Sequence, residues 1–244
     1  MPFINLKKCW SNMKKLPVTL SKTEFGRGLG LICFQQLVLP VLLSLGTVAL
    51  SLSPTDAELN FAYFLINYIS VLVLFRNFLW AELEIAVERP GKVLSSIAIG
   101  YGLYYVISTG IGYLVDFIDP EFLNLNDENI GAMSQNQFAL ITVGTVLLVP
   151  MSEELLFRGV LFNYIYEKRP VIACFTSIIL FSMIHLIGFI GEYSPLHFAL
   201  AFLQYLPAGI VLCFTYVRSG TIFTPILFHT LVNVLAMIYQ YSVR

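Results

Sequence analysis

Long, unbroken apolar runs are what most restrict this chain. In hydrocarbon a segment must satisfy its own backbone N–H and C=O groups, so only helices and closed barrels can cross. The runs here are continuous rather than alternating, and about 20 helical residues span ~30 Å of hydrocarbon. Read this way the chain contains seven spans, at about 29–51, 59–75, 93–115, 137–166, 170–190, 196–217 and 221–242. The expected fold is all-α, a polytopic transmembrane helical bundle that forms a single domain over 28–244. A chain with 57% hydrophobic and 12% charged residues has about half the charged fraction of a soluble domain.

The loops test that count. Loops 52–58, 116–136 and 191–195 carry only acidic charges: Asp56 and Glu58, then Asp116, Asp119, Glu121, Asp127 and Glu128, then Glu192. The alternate loops carry Arg76, Arg89 and Lys92, then Lys168 and Arg169, then Arg218. Six of the fourteen basic residues lie in 1–27. By the positive-inside rule the N-terminus and every basic loop are cytoplasmic, and an even number of spans would break the pattern. Within 1–27, Phe3, Leu6, Trp10 and Met13 oppose Lys7, Lys8, Lys14 and Lys15 at helical spacing, which predicts an interfacial helix on an anionic surface. No small-x-small site follows, so the segment reads as uncleaved.

Residues 76–90 read as a cytoplasmic extension of the second span or an interfacial helix, with Phe78, Leu79, Leu83 and Val87 against Glu82, Glu84 and Glu88. The stretch 116–136 reads as an external loop. Cys9, Cys33, Cys174 and Cys213 have no paired spacing, which argues against a disulfide framework or a thiolate metal site. No basic patch interleaved with aromatics is present, which excludes nucleic acid as the expected partner.

Inside the fourth span stands Pro150-Met-Ser-Glu-Glu-Leu-Leu-Phe-Arg-Gly159. A charge at the centre of a membrane helix costs about 2.5 to 3.5 kcal/mol, so Glu153, Glu154 and Arg158 need a purpose or partners. Glu154 and Arg158 stand four residues apart and can pair on one helix face. Glu153 is turned about 100° from Glu154, free to face a cavity. Pro150 removes a backbone bond and bares a carbonyl near Val146.

The fifth span carries His185, four residues after Phe181, and the seventh carries His229, four residues before Asn233. Counted at ~1.5 Å per residue from the basic ends of their helices, these groups and Glu153 come to a shared level near the midplane. Glu-Glu-x-x-x-Arg, Phe-x-x-x-His and His-x-x-x-Asn, in that order on late helices, resemble the CAAX prenyl endopeptidases and bacteriocin-processing proteins, the CPBP intramembrane proteases. The resemblance covers about 137–240.

It implies an endopeptidase acting on a membrane-associated peptide or protein in the bilayer. Glu153 would activate a water, His185 would help to hold it, and His229 with Asn233 would complete the site. Glu154, Arg158 and Phe181 would support the pocket. Some relatives are instead tied to bacteriocin self-immunity or act as scaffolds, so a non-catalytic binder is the competing reading. A proton-coupled transporter is the third, though neither an internal repeat nor a pair of broken helices is legible. Glu153, His185 and His229 are candidate zinc ligands, but Asn is a poor ligand and no helical His-Glu-x-x-His is present, so zinc and a metal-free mechanism both stay open. The small size and short acidic loops point to a bacterial cytoplasmic membrane. Gln35, Gln36, Asn60 and Asn67 read as interhelical hydrogen-bond partners, His197 as interfacial and partnerless, and Gly100 and Gly102 as points of close packing.

Overall fold

The computed structural model describes residues 15–242, so Phe3, Leu6, Trp10 and Met13 of the expected interfacial helix lie outside the described residues. Helices α1 (Lys22–Ala49), α2 (Asp56–Leu74), α4 (Pro90–Ile118), α5 (Leu125–Tyr166), α7 (Pro195–Ser219) and α8 (Phe223–Ser242) are long and apolar enough to cross a membrane. Between them lie α3 (Arg76–Glu88) and α6 (Pro170–Ile184). The protein is an integral membrane protein built as a helical bundle.

The starts of the first two helices are written locally. Ser21 with Glu24, and Thr55 with Glu58, form reciprocal capping boxes that satisfy the orphan N–H groups of α1 and α2. Pro40 cannot donate to the carbonyl of Gln36, and α1 loosens into a π-helical stretch over Phe34–Val38 just before it.

The centre of the bundle is α5. Over its apolar stretch 56% of residues are buried inside the protein, against 17% for α1 and α2 and 11% for α4. Every residue from Leu155 to Phe162 is buried. The charged motif therefore sits on the helix that the others wrap rather than on a lipid-facing wall. Helix α7 packs between α4 and α6, and Gly100 makes this approach close: a Cβ there would lie 2.6 Å from Thr215 Cγ2. Gly102, by contrast, faces open space.

Three boundaries differ from the sequence reading. The stretch 116–136 is not simply a loop, because Asn124 caps a helix that starts at Leu125, accepting from the N–H groups of Asn126 and Asp127. Its asparagines are then spent on α7: Asn124 Nδ2 donates to Gln204 Oε1 at 2.8 Å and Asn126 Nδ2 to the Tyr205 hydroxyl at 3.0 Å. A break at Gln137 (φ −136°, ψ 54°) separates this outer piece from the rest of α5.

The fifth span, expected over 170–190, is only the 15-residue α6. At ~1.5 Å per residue it reaches about 22 Å, short of the ~30 Å core. His185 ends it, and the chain turns through a 3₁₀ segment, Ile187–Phe189, and Gly191 at φ 96°.

Residues 76–90 form a separate helix, and Glu82, expected on its polar face, is fully buried. Its Oε2 accepts from the Ile222 N–H at 2.8 Å and its Oε1 from the Tyr216 hydroxyl at 3.1 Å, both at the basic end of the bundle. His197 likewise has a partner after all: its Nε2 lies 2.9 Å from Asp119 Oδ2.

Candidate active site

The bared carbonyl expected near Val146 is real, and it is used. A π-helical stretch over Gly144–Leu148 precedes Pro150. Val146 O accepts from Thr230 Oγ1 at 3.1 Å, and Thr145 O from Asn233 Nδ2 at 2.7 Å. These two bonds, one and four residues beyond His229 on α8, clamp that part of the helix against α5.

A second π-helical stretch, Leu155–Phe162, carries Arg158. Glu154 and Arg158 are both fully buried, and Arg158 Nη1 donates to Glu154 Oε1 at 3.0 Å. The guanidinium also stacks 4.3 Å over the Phe181 ring, and Nη2 reaches Gly209 O at 3.5 Å. The same Glu154 oxygen lies 3.0 Å from His229 Nδ1. Opposite charges and a cation–π contact offset a burial that would otherwise be prohibitive. Because the carboxylate accepts, His229 Nδ1 carries a proton and Nε2 is left to do something else.

Glu153 faces elsewhere. Its Oε2 is buried without a hydrogen-bond partner and lies 4.0 Å from His185 Nε2. His185 Nδ1 sits 2.8 Å from Phe181 O, and its ring stacks on Tyr205 with centroids 4.4 Å apart. A backbone carbonyl only accepts, so Nδ1 bears a hydrogen, and in the tautomer with Nδ1–H alone the Nε2 lone pair faces Glu153. Two acceptors separated by this distance fit a bridging donor. Both histidines flank Phe181, at 4.8 and 5.9 Å between centroids.

Glu153 and His185 each line a different cavity. The larger, about 370 Å³, is lined by His185, His229, Asn233 and Phe181 together with Tyr104, Asn124, Asp127, Gln204 and Tyr205. The smaller, about 40 Å³, is lined by Glu153 with Gln35, Gln36, Tyr63 and Asn67. Sequence reasoning missed Asp127, Gln204 and Tyr205, because a loop and an otherwise apolar span gave no motif. The one available signal was a Gln-Tyr pair with no stated partner in the middle of α7.

With this geometry in hand, residues 135–235 match the family described as Type II CAAX prenyl endopeptidase Rce1-like. Over these residues the chain is similar to the Type II CAAX prenyl endopeptidases. No curated protein and no solved structure shows a significant match. The family region begins just before the Gln137 break and ends just past Asn233, so it takes in both π-helical stretches of α5, all of α6 and α7, and the His229 half of α8. Helices α1 to α4 lie outside the matched region, although α1 and α2 close the small cavity over Glu153.

Among the described residues no group of three or more His, Cys, Asp or Glu side chains lies together so as to hold a metal ion. His229 Nδ1 is committed to Glu154, and Glu153 meets only His185 among the candidates. These residues do not fit a zinc site.

Proposed function

We propose that the protein is an intramembrane endopeptidase that hydrolyses a peptide bond in a membrane-associated peptide or protein. The observation that carries this is the arrangement of Glu153 Oε2, buried and unpartnered, 4.0 Å from the lone pair of an imidazole fixed by Phe181 O. A water held there donates one hydrogen to Glu153 and the other to His185 Nε2, which turns its oxygen lone pairs toward the larger cavity.

Attack forms a C–O bond to the substrate carbonyl carbon while Glu153 takes the proton, acting as general base. The carbonyl oxygen becomes an oxyanion. His229, held at Nδ1 by Glu154, faces it with Nε2, and once that nitrogen takes up a proton it donates to the oxyanion, where a donor in such a position contributes roughly 10²- to 10³-fold in rate. Glu153 then returns the proton to the departing amine, so each turnover consumes one water. Asn233 and Thr230 hold His229 in place through the α5 carbonyls.

Glu153→Gln keeps the side chain's size and removes the base. Mass spectrometry of peptides from cells expressing either form should show a processed membrane peptide with the wild type alone. Identical peptide patterns at equal, folded expression would overturn the proposal and favour a non-catalytic binder.

A further inference from the structure

The small cavity is unusual in what faces it. Gln35 and Asn67 are both buried, at 3% and 5% exposure, yet Gln35 Nε2 and Asn67 Oδ1 have no hydrogen-bond partner. Glu153 Oε2 is the third such atom, and all three residues line the same space. Leaving a buried polar atom unsatisfied costs about 1 to 3 kcal/mol, so three in one small cavity ask for a shared ligand.

The ligand's chemistry follows from the atoms. Gln35 offers a donor, while Asn67 and Glu153 offer acceptors, and water satisfies both kinds at once. A cavity of about 40 Å³ holds about three waters, since each needs at least ~10–15 Å³ measured this way. The π-helical stretch Phe34–Val38 brings Gln35 and Gln36 to this level of α1, and Gln36 Nε2 is already tied to the Tyr63 hydroxyl at 3.2 Å. Gln36 fastens α1 to α2 through Tyr63, which also meets the Asn67 side chain; Gln35 Nε2 and Asn67 Oδ1 remain for the cavity.

We propose that this chamber supplies the hydrolytic water, with Gln35 and Asn67 as its positioning residues. The proposal rests on the endopeptidase reading above. Substrate would occupy the cavity on the His185 and His229 side. Replacement water would reach Glu153 from behind, through the α1–α2 wall, without displacing the bound peptide. The two functions are separated by a partition in which Phe157 and Ile184 face the chamber while Phe181 and His185 face the larger cavity.

The test uses the full chain in lipid nanodiscs and hydroxyl-radical footprinting read by mass spectrometry. Phe157 and Phe162 lie five residues apart on α5 and are both buried, at 4% and 0%, but only Phe157 lines the chamber. Radiolysis of chamber water should oxidise Phe157 and leave Phe162 unmodified, and Asn67→Leu should protect Phe157. In cells Asn67→Leu should lower the Glu153-dependent product roughly 10- to 100-fold, in line with small displacements in active sites, and Asn67→Asp should restore it. Gln35→Leu, on a different helix, repeats the test should Asn67→Leu fail to fold. Equal labelling of Phe157 and Phe162, or full product from a folded Asn67→Leu protein, would overturn the proposal. If Glu153→Gln changes no peptide while Phe157 is still selectively oxidised, the endopeptidase reading fails and the chamber alone stands.

Discussion

Two carboxylates among the described residues are buried completely, and they are kept by opposite means. Glu154, in the central turn of α5, shares one oxygen between Arg158 and His229. Glu82, at the basic end, is held by the Ile222 N–H and the Tyr216 hydroxyl, both neutral. In the first case a cation stabilises the charged form. In the second burial dominates, and it pushes the Glu82 carboxyl up to about 7, against a lowering by the bonds from Ile222, Tyr216 and Thr221. The deep carboxylate thus has a charged partner, while Glu82 has only neutral ones and can lose its charge near neutral pH at modest cost.

The largest effect should come from removing the cation. Arg158→Met leaves Glu154 buried opposite a histidine alone, and breaking a buried pair by one partner costs about 3 to 5 kcal/mol. Thermal unfolding in detergent should fall accordingly. Adding Glu154→Gln should recover much of the loss, because the desolvated charge is then gone. A single variant as stable as the wild type would mean that Glu154 is not charged, and the contrast with Glu82 would collapse.

Glu82 gives a pH dependence of defined sign. Its folded value is raised from 4.5 to about 7, so its contribution is fully present below about 4.5 and is lost as pH rises through about 7. At ~1.4 kcal/mol per unit the loss amounts to about 3 kcal/mol. Glu82→Gln preserves the shape and both contacts, with the amide donating to Tyr216. The variant should be no more stable than the wild type at pH 4.5 and more stable at pH 8, and parallel stability curves across this range would show that Glu82 is not the titrating group.

The same contrast explains what could be read from the sequence. The pairing of Glu154 with Arg158 and the use of the carbonyl freed by Pro150 follow from helical spacing and proline geometry, which are local. Seven apolar segments and their alternation of loop charge were likewise legible, apart from α6. Its early end depends on His185 taking a carbonyl of its own last turn, and on glycines that close the following turn. The partner of His229 was not legible: spacing placed His229 with Asn233, but which glutamate it meets depends on how α8 packs against α5. Glu82 looked like one of three acids on a solvated face, and only the α7–α8 turn, 140 residues away, buries it. Gln35 and Asn67 read as ordinary interhelical partners because sequence cannot reveal that one atom of an amide has been left without a partner.

The smallest effect concerns the neutral donor beside Glu82. Tyr216 accepts from Asn163 Nδ2 at 2.8 Å, and Asn163 in turn joins Val18 O and the Leu20 N–H, so the N-terminal segment, α5, α7 and α3 meet in one network. Tyr216→Phe removes the hydroxyl from the middle. Asn163 keeps its bonds to Val18 and Leu20, and Glu82 keeps Ile222, so the loss should be about 1 to 2 kcal/mol. The hydroxyl bond favours the ionised carboxylate, so its removal moves the Glu82 transition further up. The cost of Tyr216→Phe should therefore be smaller at pH 5 than at pH 8, and it should lose its pH dependence on a Glu82→Gln background. A cost independent of pH in both backgrounds would assign Tyr216 to packing alone and leave Ile222 as the principal donor that tempers the burial of Glu82.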